Sequence, residues 1–405
     1  MSESILMRLR HALGESAVEP DPEGLPRVTP DSTDGVATVC GLAHEQGWRV
    51  RVEGRGTWCP ADAPADLALS TRGLSRMVKF SPADLVATVE AGMPLQVLQR
   101  EFEERGTWLA IDPPGDPERS IGSIVATGTG GPLRHGFGPI KDHILGGTIV
   151  TGDGRTIKAG GQVVKNVAGY DLTRLQVGGF GAFGVLTQLH LRLRARPMSR
   201  VTLLARGERD ALTRQARTLM EGQATAAALE LASPALAADA DWVLGAEFAG
   251  TLGAVAEEVA RATGNPEIPW TALPGEQAAA FWGGTARAHL GGSITLRLGV
   301  FPDGLDQILD LLAEQLDTDL VSAGPGKGML RWTGDATVEQ LRTLRRVSAQ
   351  REIPLTLERA PWPVRAAVGH YGAYREGVGT LVSKLRSTFD PDPTFTVALE
   401  GTERD

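Results

Sequence analysis

Three glycine-rich stretches hold the residues of this chain best suited to chemistry. The first is Gly54-Arg55-Gly56-Thr57-Trp58, where bare backbone, a cation and a hydroxyl stand side by side. Glycines there let several N–H groups approach the oxygens of a pyrophosphate. The same residues would also serve as a plain strand-connecting turn, and alone they do not decide between the two. The second stretch is 120–131, Ser-Ile-Gly-Ser-Ile-Val-Ala-Thr-Gly-Thr-Gly-Gly. A flexible linker has no use for Ile121, Ile124 and Val125, which need a core. The reading is a short buried helix whose small face touches a ligand.

The third stretch, 162–197, organises the rest. It opens with the polar cluster Lys165, Asn166 and Asp171, continues through Gly178, Gly179, Gly181 and Gly184, and ends in an alternating run from Val185. Leu189, Leu191 and Leu193 share one face, with His190, Arg192 and Arg194 on the other, the period of a half-buried strand. Gly179, Gly181 and Gly184 also fit G-x-G-x-x-G. That fingerprint needs a helix after the glycines and an acid about twenty residues on. Here a strand follows, and Glu208 and Asp210 lie beyond Pro197. A dinucleotide-binding βαβ unit is set aside.

The elements around these stretches follow from pattern. Pro30-Asp31-Ser32 caps a helix that ends near Gly47, and a short strand covers 49–52. Strand signals follow at 67–69, 77–80 and 85–90. A helix starts at Pro94 and stops at Gly106. Asp112-Pro113-Pro114-Gly115 forces a turn, and 144–150 and 156–159 form a hairpin through Gly152-Asp153-Gly154. After Pro197 the chain reads as two β-α-β-β-α-β rounds, one starting near 201 and one near 293. The segment 275–290, with Phe281 and Trp282, interrupts the repeat and is expected to cover the ligand. Residues 1–28 read as an arm with an amphipathic start.

Composition excludes several classes. The chain has 405 residues and a net charge of −8, from 41 basic and 49 acidic side chains, with no basic tract, so nucleic acid is not expected. No apolar run is long enough to cross a membrane, and the N-terminus lacks a signal-peptide layout. Direct membrane insertion is therefore not expected. A soluble cytoplasmic protein follows, with a partner as its route to any membrane. Two cysteines, Cys40 and Cys59, make neither a disulfide framework nor a four-thiolate metal site.

Two glycine-rich loops, then Lys-Asp-His-Ile-Leu-Gly at 141–146, Val-Val-Lys-Asn-Val-Ala-Gly-Tyr-Asp-Leu at 163–172 and Gly-Ala-Phe-Gly-Val-Leu at 181–186 carry a resemblance. The chain resembles the FAD-binding oxidases of the vanillyl-alcohol oxidase and p-cresol methylhydroxylase type. The 163–172 motif is similar to that of the E-subunit family of the glycolate oxidases. The resemblance implies an α+β fold: a two-part FAD-binding domain of the p-cresol methylhydroxylase type over 29–197, then a ferredoxin-like α/β cap over 198–405.

By position, the resemblance implies FAD contacts from Gly54, Arg55, Gly56, Thr57 and Trp58. In the second loop it implies Ser120, Ile121, Gly122, Ser123, Ala126, Thr127, Gly128 and Gly131, with Pro113 of the turn before it. Gly184 and Val185 match a family pair at the cofactor. Lys165, Asn166 and Asp171 match the E-subunit motif, and two readings stay open for them: a place near the flavin, or a salt-bridged polar network that holds the glycine loop. Where the family usually has Gly-Gly, this chain has Gly122-Ser123. No histidine or cysteine stands at the family's attachment positions, so FAD is expected without a covalent bond. Cys59, just past the first loop, is expected to be a small buried residue. Gly369-His370-Tyr371-Gly372 superficially matches a histidine motif of the D subunit but lacks its further ligands. His370 is expected to be a core or turn residue, and no metal is implied. The tail begins Phe389-Asp390-Pro391 but lacks the family's Asn-Pro-Gly, which leaves its flavin contact open.

The implied activity is oxidation of glycolate, a 2-hydroxy acid, to glyoxylate through FAD. The implied partners are a D-type flavin subunit and an iron–sulfur subunit of a glycolate oxidase complex. Two other readings stay open: a flavin-bearing but non-catalytic subunit, and a stand-alone FAD oxidase of another alcohol or sugar acid. Hydroxy-acid oxidation needs a cation for the carboxylate and a base for the hydroxyl. Arg134, His135, Lys165, Arg297 and His289 are the candidates, and sequence brings no two of them together.

Overall fold

The computed structural model describes residues 2–20, 24–161, 172–222, 224–299, 301, 303–316, 320–372, 374 and 377–400. Lys165, Asn166 and Asp171 lie outside them. The N-terminal arm is docked: α1 (Ser2–Leu13) buries Ile5 and Leu9 against the first core. Strands β1 (Val18–Pro20) and β2 (Pro26–Val28) follow as an antiparallel pair. The Ser32 hydroxyl caps α2 (Thr33–Gln46) by accepting from the Gly35 N–H at 3.2 Å, and Gly47 ends it at φ 66°. Its buried Val36, Val39, Cys40 and Ala43 recur at helical spacing and face the sheet. Strands β3 (Val50–Glu53) and β4 (Leu67–Ser70) run parallel and complete the order β1-β2-β4-β3.

A second sheet is antiparallel. It takes β5 (Met77–Ser81) and β6 (Val86–Glu90), after which α3 (Leu95–Glu103) and β7 (Thr107–Trp108) lead away. The buried helix expected in the second loop is α4 (Ile121–Thr127), with Ile121, Ile124 and Val125 fully buried. Then come α5 (Arg134–Phe137), β8 (Ile144–Val150), β9 (Thr156–Gly160) and α6 (Leu172–Gln176). The alternating run is β10 (Val185–Arg192), which lies between β6 and β8. A strand, not a helix, thus follows the glycines. The sheet order is β5-β6-β10-β8-β9, and β11 (Arg194–Ala195) pairs with β7.

The rest builds one eight-stranded antiparallel sheet. Its first round is β12 (Ser199–Gly207), α7 (Arg209–Glu221), β13 (Ala228–Ala232), α8 (Pro234–Ala237), β14 (Trp242–Gly250), α9 (Leu252–Thr263) and β15 (Thr271–Leu273). After α10 (Gly275–Ala288) the second is β16 (Ile294–Gly299), α11 (Leu305–Gln315), β17 (Leu320–Gly324), β18 (Met329–Gly334), α12 (Val338–Gln350) and β19 (Leu355–Arg359). Helices α13 (Trp362–Val368) and α14 (Val378–Phe389) close the chain. The order β15-β12-β14-β13-β17-β18-β16-β19 is two ferredoxin-like sheets joined through β13 and β17. The α+β reading, with a ferredoxin-like second part, therefore holds.

One expectation for this part fails. The segment 275–290 does not cover the ligand cavity described below. Phe281 and Trp282 instead pack over Gly245 on β14, and the Trp282 indole donates to Thr202 Oγ1 at 3.1 Å. A glycine on β14 leaves the hollow that two adjacent aromatic rings fill. Among the described residues, no helix is long and apolar enough to cross a membrane.

Candidate functional site

The two glycine-rich loops meet. A Cβ on Gly54 would stand 2.5 Å from Ser120 Oγ and 3.3 Å from Ser123 Cβ, so the first loop lies directly on the start of α4. Beside this contact opens a cavity lined by all of 54–58 and by Gly122, Ser123, Ala126 and Thr127 of α4. Gly56 adopts φ 72°, and a Cβ there would meet nothing within 4 Å, so its backbone borders open space. The opposite wall is Phe180, Gly181, Gly184 and Val185. Gly184 sits at φ 119°, where a Cβ would stand 2.6 Å from Ile149 Cγ2 and 2.7 Å from the Val150 carbonyl. No other residue fits there.

The remaining named positions support this cavity from behind and do not line it. Ser120 caps α4 by accepting from the Ser123 N–H, and Ile121 is core. Gly128 ends α4 at φ 62°. Gly131 admits the Asp112 backbone at a distance no side chain would allow, and Pro113 is buried in the same turn. Cys59 is half-buried rather than buried, and it borders the cavity. Burial nevertheless pushes its thiol up, so it stays protonated.

Several residues of this site went unnamed as site residues in the sequence reading. Arg119, which stands behind the lining, is 1% exposed. It donates to the Pro114 carbonyl at 2.6 Å and to Thr127 Oγ1 and Thr129 Oγ1 at 3.0 Å, and its guanidinium lies 4.4 Å from the Trp58 ring centre. Burial pulls it down to about 10, still charged at neutral pH. The buried Trp58 indole N–H finds no acceptor among the described residues. Phe395, Thr396 and Val397 reach the cavity because the tail adds to the edge of β3. Val50 N–H donates to the Thr394 carbonyl at 2.7 Å, and Thr396 N–H to Val50 at 3.0 Å. The tail thus borders the cavity without an Asn-Pro-Gly.

His370 is a core residue, as expected, yet it forms part of the cavity wall. Its ring stacks on Phe180 with centres 3.6 Å apart, and Nδ1 lies 2.6 Å from the Leu357 carbonyl. Burial pulls it down to about 3, so it is neutral and poorly placed as a base. Phe180 holds φ 51°, an unusual backbone for a side chain of that size.

A second cavity lies behind this wall, lined by Arg134, Lys141, Gly178, Arg297 and Tyr371 with apolar neighbours. Two of the five candidates for hydroxy-acid chemistry, Arg134 and Arg297, are thus brought together. Arg297 donates to the Gly128 carbonyl at 2.8 Å and lies 3.2 Å from Glu358. Arg331 donates to Gly130 at 3.0 Å and to Glu358 at 2.8 Å. Burial pushes the Glu358 carboxyl up, but Arg331 and Arg297 outweigh that and hold it below its usual range. His289 is committed elsewhere, 2.9 Å from Thr333 Oγ1 and 3.1 Å from Ser322 Oγ. His135 packs against Gly326, beside the buried Lys327–Glu230 pair.

Comparison with known proteins gives the loop cavity its meaning. Residues 26–160 match the family described as FAD binding domain. Those residues are similar to an FAD-binding domain. A glycolate oxidase subunit GlcE from Escherichia coli (strain K12) is 41% identical over 128 residues, 31% of this chain and 37% of that protein. A glycolate oxidase subunit GlcD from Bacillus subtilis (strain 168) is 30% identical over 181 residues, 44% of this chain and 38% of the relative. A D-2-hydroxyglutarate dehydrogenase from Xanthomonas citri pv. viticola is 32% identical over 188 residues, 45% of this chain and 40% of the relative. The matches span about two-fifths of these curated relatives. A solved alkyldihydroxyacetonephosphate synthase superposes with a TM-score of 0.72 at 13% identity, covering 97% of this chain and 84% of that one. At that identity the likeness is one of fold. FAD is the cofactor that the match over 26–160 supports. The site's own features fit it: a glycine backbone bordering open space, a small-residue helix face and an unpaired buried indole N–H.

Proposed function

We propose that the chain holds FAD non-covalently in the loop cavity and is the E-type, FAD-bearing subunit of a complex that oxidises glycolate to glyoxylate. One observation carries the reading. The loop 54–58 and the small face of α4 converge on one cavity, in a chain similar over 128 residues to a glycolate oxidase subunit. In this reading 29–197 is the FAD-binding part, 198–405 the cap and 1–28 an arm docked on the first.

FAD, when bound, supplies the two-electron acceptor chemistry. The protein binds and orients it. Backbone N–H groups of 54–58 and the Ser123 hydroxyl serve the phosphate region, and the Trp58 indole offers a donor. Buried Arg119 keeps positive charge under the loop without entering it. Gly184 lets the far wall pack closely on Ile149 and Val150, where any side chain would clash. The stacked Phe180 and His370 rings keep water from crossing between the cavities.

The flavin-bearing but non-catalytic reading has one observation of its own. Among the described residues lining the second cavity there is no carboxylate or imidazole to take a hydroxyl proton. A D-type flavin subunit would then perform the oxidation, with an iron–sulfur subunit accepting the electrons. Anaerobic titration of the flavin-loaded chain with glycolate separates the two. Bleaching of the visible flavin band is expected for a catalytic subunit. An unchanged spectrum would assign catalysis to the partner.

A further inference from the structure

The second cavity carries positive charge that the described protein does not neutralise. Arg297 and Arg331 share the single carboxylate of Glu358 and spend further donors on Gly128 and Gly130. Arg134 is different. It is half-buried, it lines the cavity, and its guanidinium makes no hydrogen bond or ion pair with any described residue. Burial and the nearby Arg297 and Arg331 depress it, the state that a bound anion would relieve. Lys141 adds an exposed cation at the rim.

The remaining lining limits what the anion can be. Val177, Ile140, Leu298, Met329 and Pro354 are apolar, so a small organic anion suits the cavity better than a highly hydrated one. A guanidinium fork pairs with a carboxylate through two parallel bonds. The location matters too. The two cavities share one thin wall, with Thr127, Phe180 and His370 facing the first and Gly128, Gly178 and Tyr371 facing the second. The Tyr371 hydroxyl donates to the Gly178 carbonyl and closes that wall.

We propose that this second cavity is a carboxylate subsite for a small 2-hydroxy acid, held by Arg134 and steered by Lys141. The identity of the acid rests on the function proposed above; the charge and size of the ligand do not. The test is calorimetric titration of the flavin-loaded chain with oxalate, which cannot reduce flavin, and with glycolate. Arg134→Met should weaken oxalate binding roughly tenfold or more, as expected for loss of a charge-assisted pair. Arg134→Lys should fall between, since charge remains and the fork is lost, and it guards against a Met variant that fails to fold. Lys141→Gln should cost about twofold, an effect that fades with salt. Unchanged oxalate affinity in Arg134→Met, or no uptake of either anion by the wild type, would overturn the proposal. Oxalate binding that depends on Arg134, with no flavin bleaching by glycolate, would uphold the subsite while refuting oxidation by this chain alone.

Discussion

Gly54 and Ser120 hold the two loops in register: a Cβ on Gly54 would stand 2.5 Å from the Ser120 hydroxyl oxygen. That oxygen is also the cap of α4. Gly54→Ala must therefore push the first loop off the helix that borders the cavity with it. Overpacking of this kind costs about 1–3 kcal/mol. FAD affinity should fall with a modest drop in Tm. Adding Ser120→Ala removes the clashing atom, so the double variant should regain FAD affinity while losing about 1 kcal/mol for the cap. Fluorescence titration with FAD checks both.

A carboxylate at the phosphate region should be incompatible with the cofactor. Ser123 lines the cavity from a helical position that tolerates a longer side chain. Ser123→Glu should abolish FAD binding, by like-charge repulsion of several kcal/mol in a partly buried site, while circular dichroism stays unchanged. Gly122→Glu would be a poorer test. A Cβ there would already press on the Ala91 carbonyl at 2.8 Å, so folding and binding would fail together.

Acid sensitivity should trace partly to His370. Burial holds it at about 3 in the folded chain, below the usual 6.5 of an exposed imidazole. Its contribution to stability is thus complete above pH 6.5 and lost as pH falls toward 3, at ~1.4 kcal/mol per pH unit. His370→Gln should lose the Leu357 contact at every pH but resist acid better. Between pH 7 and 5, urea midpoints should show the variant losing on the order of 2 kcal/mol less than the wild type. Equal losses would mean that His370 is already charged in the fold.

Co-expression with D-type and iron–sulfur subunits should give a hetero-oligomer by size and a dye-linked glycolate activity. A chain that stays monomeric beside them and turns over glycolate alone at roughly 1 per second or more would contradict the complex.

Local physics made much of this legible. Ile121, Ile124 and Val125 among small residues require a buried helix, and α4 is there. The period-two run from Val185 specifies β10 and its buried face. Strand β17 is hard to read from sequence because Ser322-Ala323-Gly324 carries little apolar signal; pairing with β13 and β18 fixes it instead. Residues that reach a site by long-range pairing were illegible for the same reason. Phe395 borders the cavity only because Val50 has a free strand edge. Phe180 and His370 stack on each other although they stand far apart in the sequence. Arg134 and Arg297 were both named for their chemistry, yet only the meeting of the loop after α4 with β16 puts them in one cavity.

The central claim is that this chain holds FAD without a covalent bond. Acid precipitation of the purified, FAD-loaded protein tests it most directly. The account predicts a colourless pellet and a yellow supernatant containing one FAD per chain. Colour that stays with the pellet would contradict the non-covalent site, and a chain that takes up no FAD at all would contradict the site itself.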